Sequence, residues 1–290
     1  MTLGSRLLRV PATVLALGLL FALIAPAGMA QYQPFQLAPG IGPSFRVSGT
    51  GPGTTITQFV PSIETQYQEP LATVILQATV RSLALLVGVA VFALFVGVLV
   101  GIAAALLRRR AVASGVVLGL TSVAAAVPSF FLAYFLQFLF IFIGGAAGHT
   151  VLPVFGYGLD SHLVLPLLAL SAPAVATTAQ LTAVRMMEVF DADFITTANA
   201  KGLLPSWIIR VHVLPHVLPV SLEAVGGGLR IAVASLPIVE YILLWNGIGF
   251  VALQSIALRD PAALAACAVV LGTLFTLTSL LLDLRRARVH

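Results

Sequence analysis

Apolar residues fall along this chain in long, nearly unbroken blocks, and the short stretches between them hold most of its charge. The blocks cover residues 10–30, 71–107, 113–144, 162–187, 217–244 and 262–282. A helix crosses a bilayer with ~20 apolar residues, and each block is long enough. The pattern therefore predicts an all-α integral membrane protein with six transmembrane helices. The second block is longer than a crossing needs, so its first two turns are expected to project, with Arg81 near the interface. Pro128 lies inside the third block, where a lost backbone donor is expected to kink the rod. Pro166 and Pro173 interrupt the fourth in the same way.

The segments between the blocks differ in kind. Gly28-Met29-Ala30 ends the first block with the small residues of a signal-peptidase site, but some 21 apolar residues are long for a signal and favour a retained anchor, residues 1–30. Residues 31–70 are rich in Gly, Pro, Gln, Ser and Thr, which suits an extracytoplasmic segment and not a spanning helix. Residues 71–290 then form the main membrane domain.

Composition agrees with the blocks. Charged residues are 9% of the chain, against roughly a quarter in soluble domains, too few to wet a full surface. Mean hydropathy is +1.07. A pI near 10.0 invites a nucleic-acid reading, but the basic residues sit at block ends as topology signals and form no basic face. With the amino terminus inside, Arg6, Arg9, Arg108, Arg109, Arg110, Arg185, Lys201, Arg210, Arg285, Arg286 and Arg288 are cytoplasmic, which is most of the fifteen Lys and Arg. The opposite orientation breaks the positive-inside rule. Both termini are thus expected in the cytoplasm. The single Cys267 excludes an intrachain disulfide and a cysteine metal cluster, and His162, His212 and His216 show no ligand spacing.

The loop between the fourth and fifth blocks has the grammar of a short helix outside the bilayer. Asp191 and Asp193 stand near its start, where the dipole favours negative charge; Lys201 is in its last turn, and Gly202 suits the left-handed position that ends helices. A second amphipathic run, 204–213, leads to Pro215 and Pro219. Ordering such a loop costs entropy, and a docked partner is the natural return.

Thr197-Ala198-Asn199-Ala200-Lys201-Gly202-Leu203, followed by His212-Val213-Leu214-Pro215, resembles the "EAA" signature of binding-protein-dependent ABC import permeases, with Gly202 and Pro215 at the matching spacing. Val127-Pro128-Ser129-Phe130, His162-Leu163-Val164-Leu165-Pro166, the run 183–190, Val239-Glu240 with Gly247-Ile248-Gly249, and Arg259-Asp260-Pro261 resemble further phrases of that family in the same order. The likeness covers roughly 71–285 and is nearest to the dipeptide/oligopeptide/nickel branch. The departures are Thr196-Thr197-Ala198 in place of the Glu-Ala-Ala triplet, Asn246 where that branch has Pro, and no Ala-Pro-Gly-Asp phrase after the first helix.

The resemblance implies a permease of the type I import fold in a bacterial or archaeal plasma (inner) membrane, with a cytoplasmic coupling helix between helices 4 and 5 inside a coupling loop at about 188–215. It implies a second homologous permease, two ATPase subunits or domains, an extracytoplasmic substrate-binding protein and surrounding membrane lipid as partners. Asp193, Thr196, Thr197, Ala198, Lys201, Gly202, Leu203 and Pro215 are the expected ATPase contacts. ATP and Mg belong to the partner ATPases, with no cofactor on this chain, which carries no Gly-rich Lys-Ser/Thr phosphate loop. The expected cargo is peptide, with nickel or another metal chelate, or another small solute, behind it. Glu223, Arg230 and Glu240, in or near the fifth helix, line a polar path or pair helices; both readings stay open. Gly226-Gly227-Gly228 permits close helix approach or local unwinding. A secondary transporter and a membrane enzyme are weaker readings, because no internal repeat, carboxylate relay or catalytic constellation stands out.

Overall fold

In the computed structural model the described residues are 44–48, 55–59 and 62–289, so the expected first span at 10–30 lies outside them. Strands β1 (Ser44–Ser48) and β2 (Thr55–Phe59) pair antiparallel, with Arg46 opposite Thr57. All other described elements are helical: α1 (Ile63–Tyr67), α2 (Leu71–Leu106), α3 (Ala111–Ala126), α4 (Ser129–Ala147), α5 (Val164–Phe190), α6 (Asp193–Ala200), α7 (Pro205–Leu243), α8 (Ile248–Leu258) and α9 (Pro261–Val289). Five stretches among the described residues are long and apolar enough to cross a membrane: Leu71–Arg109, Ser129–Ala147, Ser161–Phe190, Pro205–Leu243 and Pro261–Ser279. The helical membrane architecture read from the apolar blocks is therefore present.

Three boundaries differ from the hydrophobic pattern. The third block is two helices and not one kinked rod. Val127 adopts an extended conformation (φ −76°, ψ 121°), so α3 ends there and α4 restarts behind Pro128. The ring of a proline crowds the residue before it out of the α region, which turns the expected kink into a break. At the other end of the chain's proline-rich stretch the opposite happens. The run 204–213 and the fifth helix fuse into α7, whose Ile208–Val213 turn is a π-helix. Pro215 has no N–H to donate, and a wider turn just before it accommodates the missing bond without ending the rod. The third difference is α8, an eleven-residue helix in what reads as a connector.

The chain divides into two compact units. The first comprises 1–82 and 246–276. Its described helices are tied by polar bonds. Asp260 uses one carboxylate oxygen to cap the start of α9 at Ala263 N (3.0 Å), while the other accepts the N–H of Ile63 in α1 (3.1 Å). Tyr67 donates its hydroxyl to Gln254 of α8 (2.8 Å), and Ser82 of α2 accepts the N–H of Ile248 (2.8 Å). Arg81 donates to the Asn246 carbonyl (3.2 Å) and to Gln77 (3.2 Å), so the cation is satisfied by protein.

The second unit comprises 83–245 and 277–290. At its centre α5 packs along α7, with α3 and α4 also against α5. Small residues bring α2 close to α5 as well. A β-carbon on Gly101 of α2 would stand 2.6 Å from Ala179 O and 2.6 Å from Thr182 Cβ of α5, and one on Gly97 would stand 2.7 Å from Thr178 Cβ. Gly97 and Gly101 form the G-x-x-x-G spacing that lets helix backbones approach in lipid, where dispersion replaces the hydrophobic effect as the main attraction. Thr182 and Ser221 then share a buried hydroxyl bond (2.7 Å) between α5 and α7. The outer faces are apolar: Val91, Phe95 and Leu99 on α2, and Phe131, Phe135, Phe138 and Phe142 on α4 are exposed. Such faces belong in hydrocarbon or against another membrane protein.

The loop before α5 closes on itself. Asp160 caps the 3₁₀ turn Ser161–Leu163, accepting from His162 N (3.0 Å) and pairing with its Nδ1 (2.7 Å). The backbone bond first, then the ring, hold the Asp160 carboxyl below its ordinary range. A carboxyl lowered in the folded state stabilises above its unfolded pKa, and that contribution disappears as pH falls through the folded value. Asp160→Asn is accordingly expected to unfold this loop at neutral pH more readily than wild type and to show less acid sensitivity, measured by limited proteolysis across a pH series.

Candidate coupling site

Helix α6 stands apart from the spans, between α5 and α7. Ala192 precedes it in extended conformation, Asp193 lies in its first turn, and Thr197 Oγ1 bonds back to Asp193 O (3.1 Å). At its far end Gly202 takes φ +73°, its N–H reaching Asn199 O (2.9 Å), while Leu203 N reaches Ala198 O (3.3 Å). That pair of bonds is the Schellman motif, which satisfies terminal carbonyls that the helix itself leaves orphaned. The left-handed glycine expected from the sequence is in place.

The helix has two faces. Ile195 and Ala198 are buried in a cluster with Ala105 of α2, Met186 and Val189 of α5, and Ile208, Val213 and Val217 of α7. The opposite face leaves Asp193, Thr196, Thr197, Lys201, Gly202 and Leu203 exposed. Of the residues expected to meet a partner, Ala198 is thus an anchor pointing inward, and Pro215 sits exposed in the first turns of α7. Aromatic and charged contacts add to the anchorage. Phe194 tilts against His216 of α7 at 5.5 Å between ring centroids. Asp191 pairs with Arg108 at 2.7 Å, and the Arg108 guanidinium lies 4.9 Å over the Phe190 ring. Sequence reading missed Arg108, Phe190, Phe194 and His216 as parts of this site. The only available signal was the arginine run that ends the second block, whose Arg108 is 83 positions from Asp191.

Glu223, Arg230 and Glu240 all lie on α7 but do not form one cluster. From Glu223 to Glu240 the helix rises about 25 Å, and Arg230 stands two turns, about 10 Å, beyond Glu223 on the same face. Glu223 and Arg230 are half-buried. Glu240 is fully buried, and its carbonyl accepts the N–H of Trp245 at the end of the helix (2.8 Å). The triple glycine is part of a continuous helix, with Gly228 against Ala174 of α5. Close approach, and not unwinding, is its use.

Known proteins resemble this chain in sequence and in fold. The chain is 29% identical over 192 residues to a putative peptide transport system permease protein of Brucella abortus (strain 2308), covering 65% of this chain and 61% of that one. It is 26% identical over 201 residues to a glutathione transport system permease protein of Salmonella typhimurium (strain LT2), covering 69% and 63%. The matched region therefore spans a little over three fifths of the length of these curated relatives. Among solved structures, the MetNI methionine ABC transporter in inward-facing conformations superposes with a TM-score of 0.61 at 20% identity, over 76% of this chain and 98% of that one. Residues 97–290 match a family model that takes in the closely packed glycines of α2, the α5–α7 core and the whole of α6, and the chain therefore belongs to the family of binding-protein-dependent transport system inner membrane components.

Proposed function

We propose that this chain is a permease subunit of an ATP-driven, binding-protein-dependent importer, with peptides as the leading cargo class, and that α6 is the element through which an ATPase drives it. The observation that carries this reading is the build of α6: a capped eight-residue helix outside the spans, polar outward and seated inward on the ends of α2, α5 and α7. Close-packed interiors transmit displacement because their side chains have no room to absorb it. A partner that pushes on the outer face of α6 therefore moves the feet of three membrane helices as a body, the rigid-body step that alternating access requires.

Lys201 and Asp193 supply opposite charges at the two ends of the outer face, available to pair with an ATPase groove. ATP and Mg bind on that ATPase and not on this chain. A second permease completes the pathway, an extracytoplasmic binding protein delivers the solute, and α6 faces the cytoplasm, as the positive-inside count supports. The peptide assignment is supported by the two relatives, a putative peptide transport permease and a glutathione transport permease.

The test is site-specific photo-crosslinking in the assembled transporter. A crosslinker at Thr197 or Leu203 is expected to capture a subunit that hydrolyses ATP, whereas one at Phe138, on the outer face of α4, captures none. Solute uptake that continues in proteoliposomes without any ATPase would overturn the assignment and favour a secondary transporter.

A further inference from the structure

Beside the inner face of α6 lies a cavity of about 320 Å³. Its walls are apolar, including Leu106 of α2, Phe190 of α5, Ile195 of α6 and Ile208 of α7. Its polar lining is cationic and amide: Arg108, Arg109 and Asn199. The apolar run of α2 stops at Arg108-Arg109-Arg110, and the cavity opens beside that run, at the kind of helix end where basic side chains meet lipid headgroups.

The charge at this opening is unbalanced. Arg108 commits Nη1 to Asp191 and lays its plane on Phe190, which fixes the guanidinium while the other N–H donors of the fork remain. Arg109 is exposed and has no acidic partner among the described residues. Asn199 adds an uncharged donor and acceptor. Apolar walls below two guanidinium groups and an amide match an amphipathic anion. A free phosphate would leave the walls bare, and a zwitterionic lipid would bring an ammonium against Arg109.

We propose that this cavity binds an acidic phospholipid of the adjacent leaflet, with its phosphate on Arg108 and Arg109, a headgroup hydroxyl on Asn199, and the start of an acyl chain along Leu106 and Ile208. Basic pockets between helices at the membrane surface hold such headgroups. The ligand would touch α2, α6 and α7 together. The inference concerns binding alone and does not depend on the transport reading.

A native reporter is at hand. Trp207, 54% exposed, lies between the lining residues Pro205 and Ile208 in sequence, and the only other tryptophan, Trp245, is fully buried. The full chain in nanodiscs is compared with brominated phosphatidylglycerol or brominated phosphatidylcholine at equal mole fraction. Phosphatidylglycerol is expected to quench about twofold more. Arg109→Gln removes that preference, Arg109→Lys keeps part of it, and Arg110→Gln, next in sequence but outside the lining, keeps all of it. Native mass spectrometry of the same variants counts retained lipid and covers any variant whose fluorescence is altered by misfolding.

Equal quenching by the two lipids overturns the proposal. So does equal loss in Arg110→Gln, which would mean diffuse surface charge. Abolition of the preference by millimolar inorganic phosphate would mean a free-anion site. If Arg109→Gln keeps the lipid preference but weakens association with an ATPase subunit, the cavity receives protein and the proposal fails.

Discussion

A single methyl added at Gly228 is expected to destabilise this protein severely, while the same methyl at Gly227 is tolerated. A β-carbon on Gly228 collides with both Cα and Cβ of Ala174 on α5, whereas one on Gly227 meets nothing within 4 Å. The collision involves backbone of two central helices, so no rotamer change relieves it. Overpacking in a filled interior typically costs about 1–3 kcal/mol, and backbone contacts belong at or beyond the top of that range. The Gly227→Ala change removes a glycine from a helix interior and can gain up to about 1 kcal/mol. Thermal unfolding in detergent checks the pair: the midpoint for Gly228→Ala should fall by several degrees and that for Gly227→Ala should hold or rise. Equal midpoints would contradict the α5–α7 packing.

The second large effect concerns coupling and leaves the membrane core alone. Gly202→Pro removes the N–H that bonds Asn199 O and forces φ from +73° to about −65°. Both losses fall on the turn that closes α6, yet no side chain of the α5–α7 core is touched. The variant is expected to insert and fold, with substrate-stimulated ATP hydrolysis in the assembled transporter reduced about tenfold or more, or about 1.4 kcal/mol of coupling. Gly202→Ala is the graded control. No atom lies within 4 Å of its added carbon, so only the left-handed backbone opposes it, at about 1–2 kcal/mol. Normal coupling in the proline variant sinks the role assigned to α6.

Much of this was legible in the residue pattern, for identifiable reasons. Membrane helices must satisfy their own backbone and present apolar surface, so the blocks at 71–107, 162–187 and 262–282 are readable one at a time. The end of α6 was readable too, because a left-handed Schellman position strongly favours glycine and Gly202 followed a lysine at a helix end. Prolines were harder. Pro128 broke a helix, Pro173 sits inside one, and Pro215 lies beside a π-turn in another. The local chemistry is the same each time, and the outcome depends on what packs alongside.

Chain chemistry by itself determined the membrane class, the helical architecture, the charged segment between the fourth and fifth blocks and its glycine stop. Each of these follows from local rules of solvation and backbone conformation. Tertiary structure decided which side of α6 is anchor and which is free, so that Ala198 points inward while its neighbour Thr197 remains exposed. It decided that Gly228 and not Gly227 is the indispensable small residue. It also joined Arg108 to Asp191 across 83 positions and left Arg109 at a cavity mouth. Those facts depend on contacts between segments far apart in the chain, where the energy of packing and pairing belongs to two helices at once and is written in neither alone.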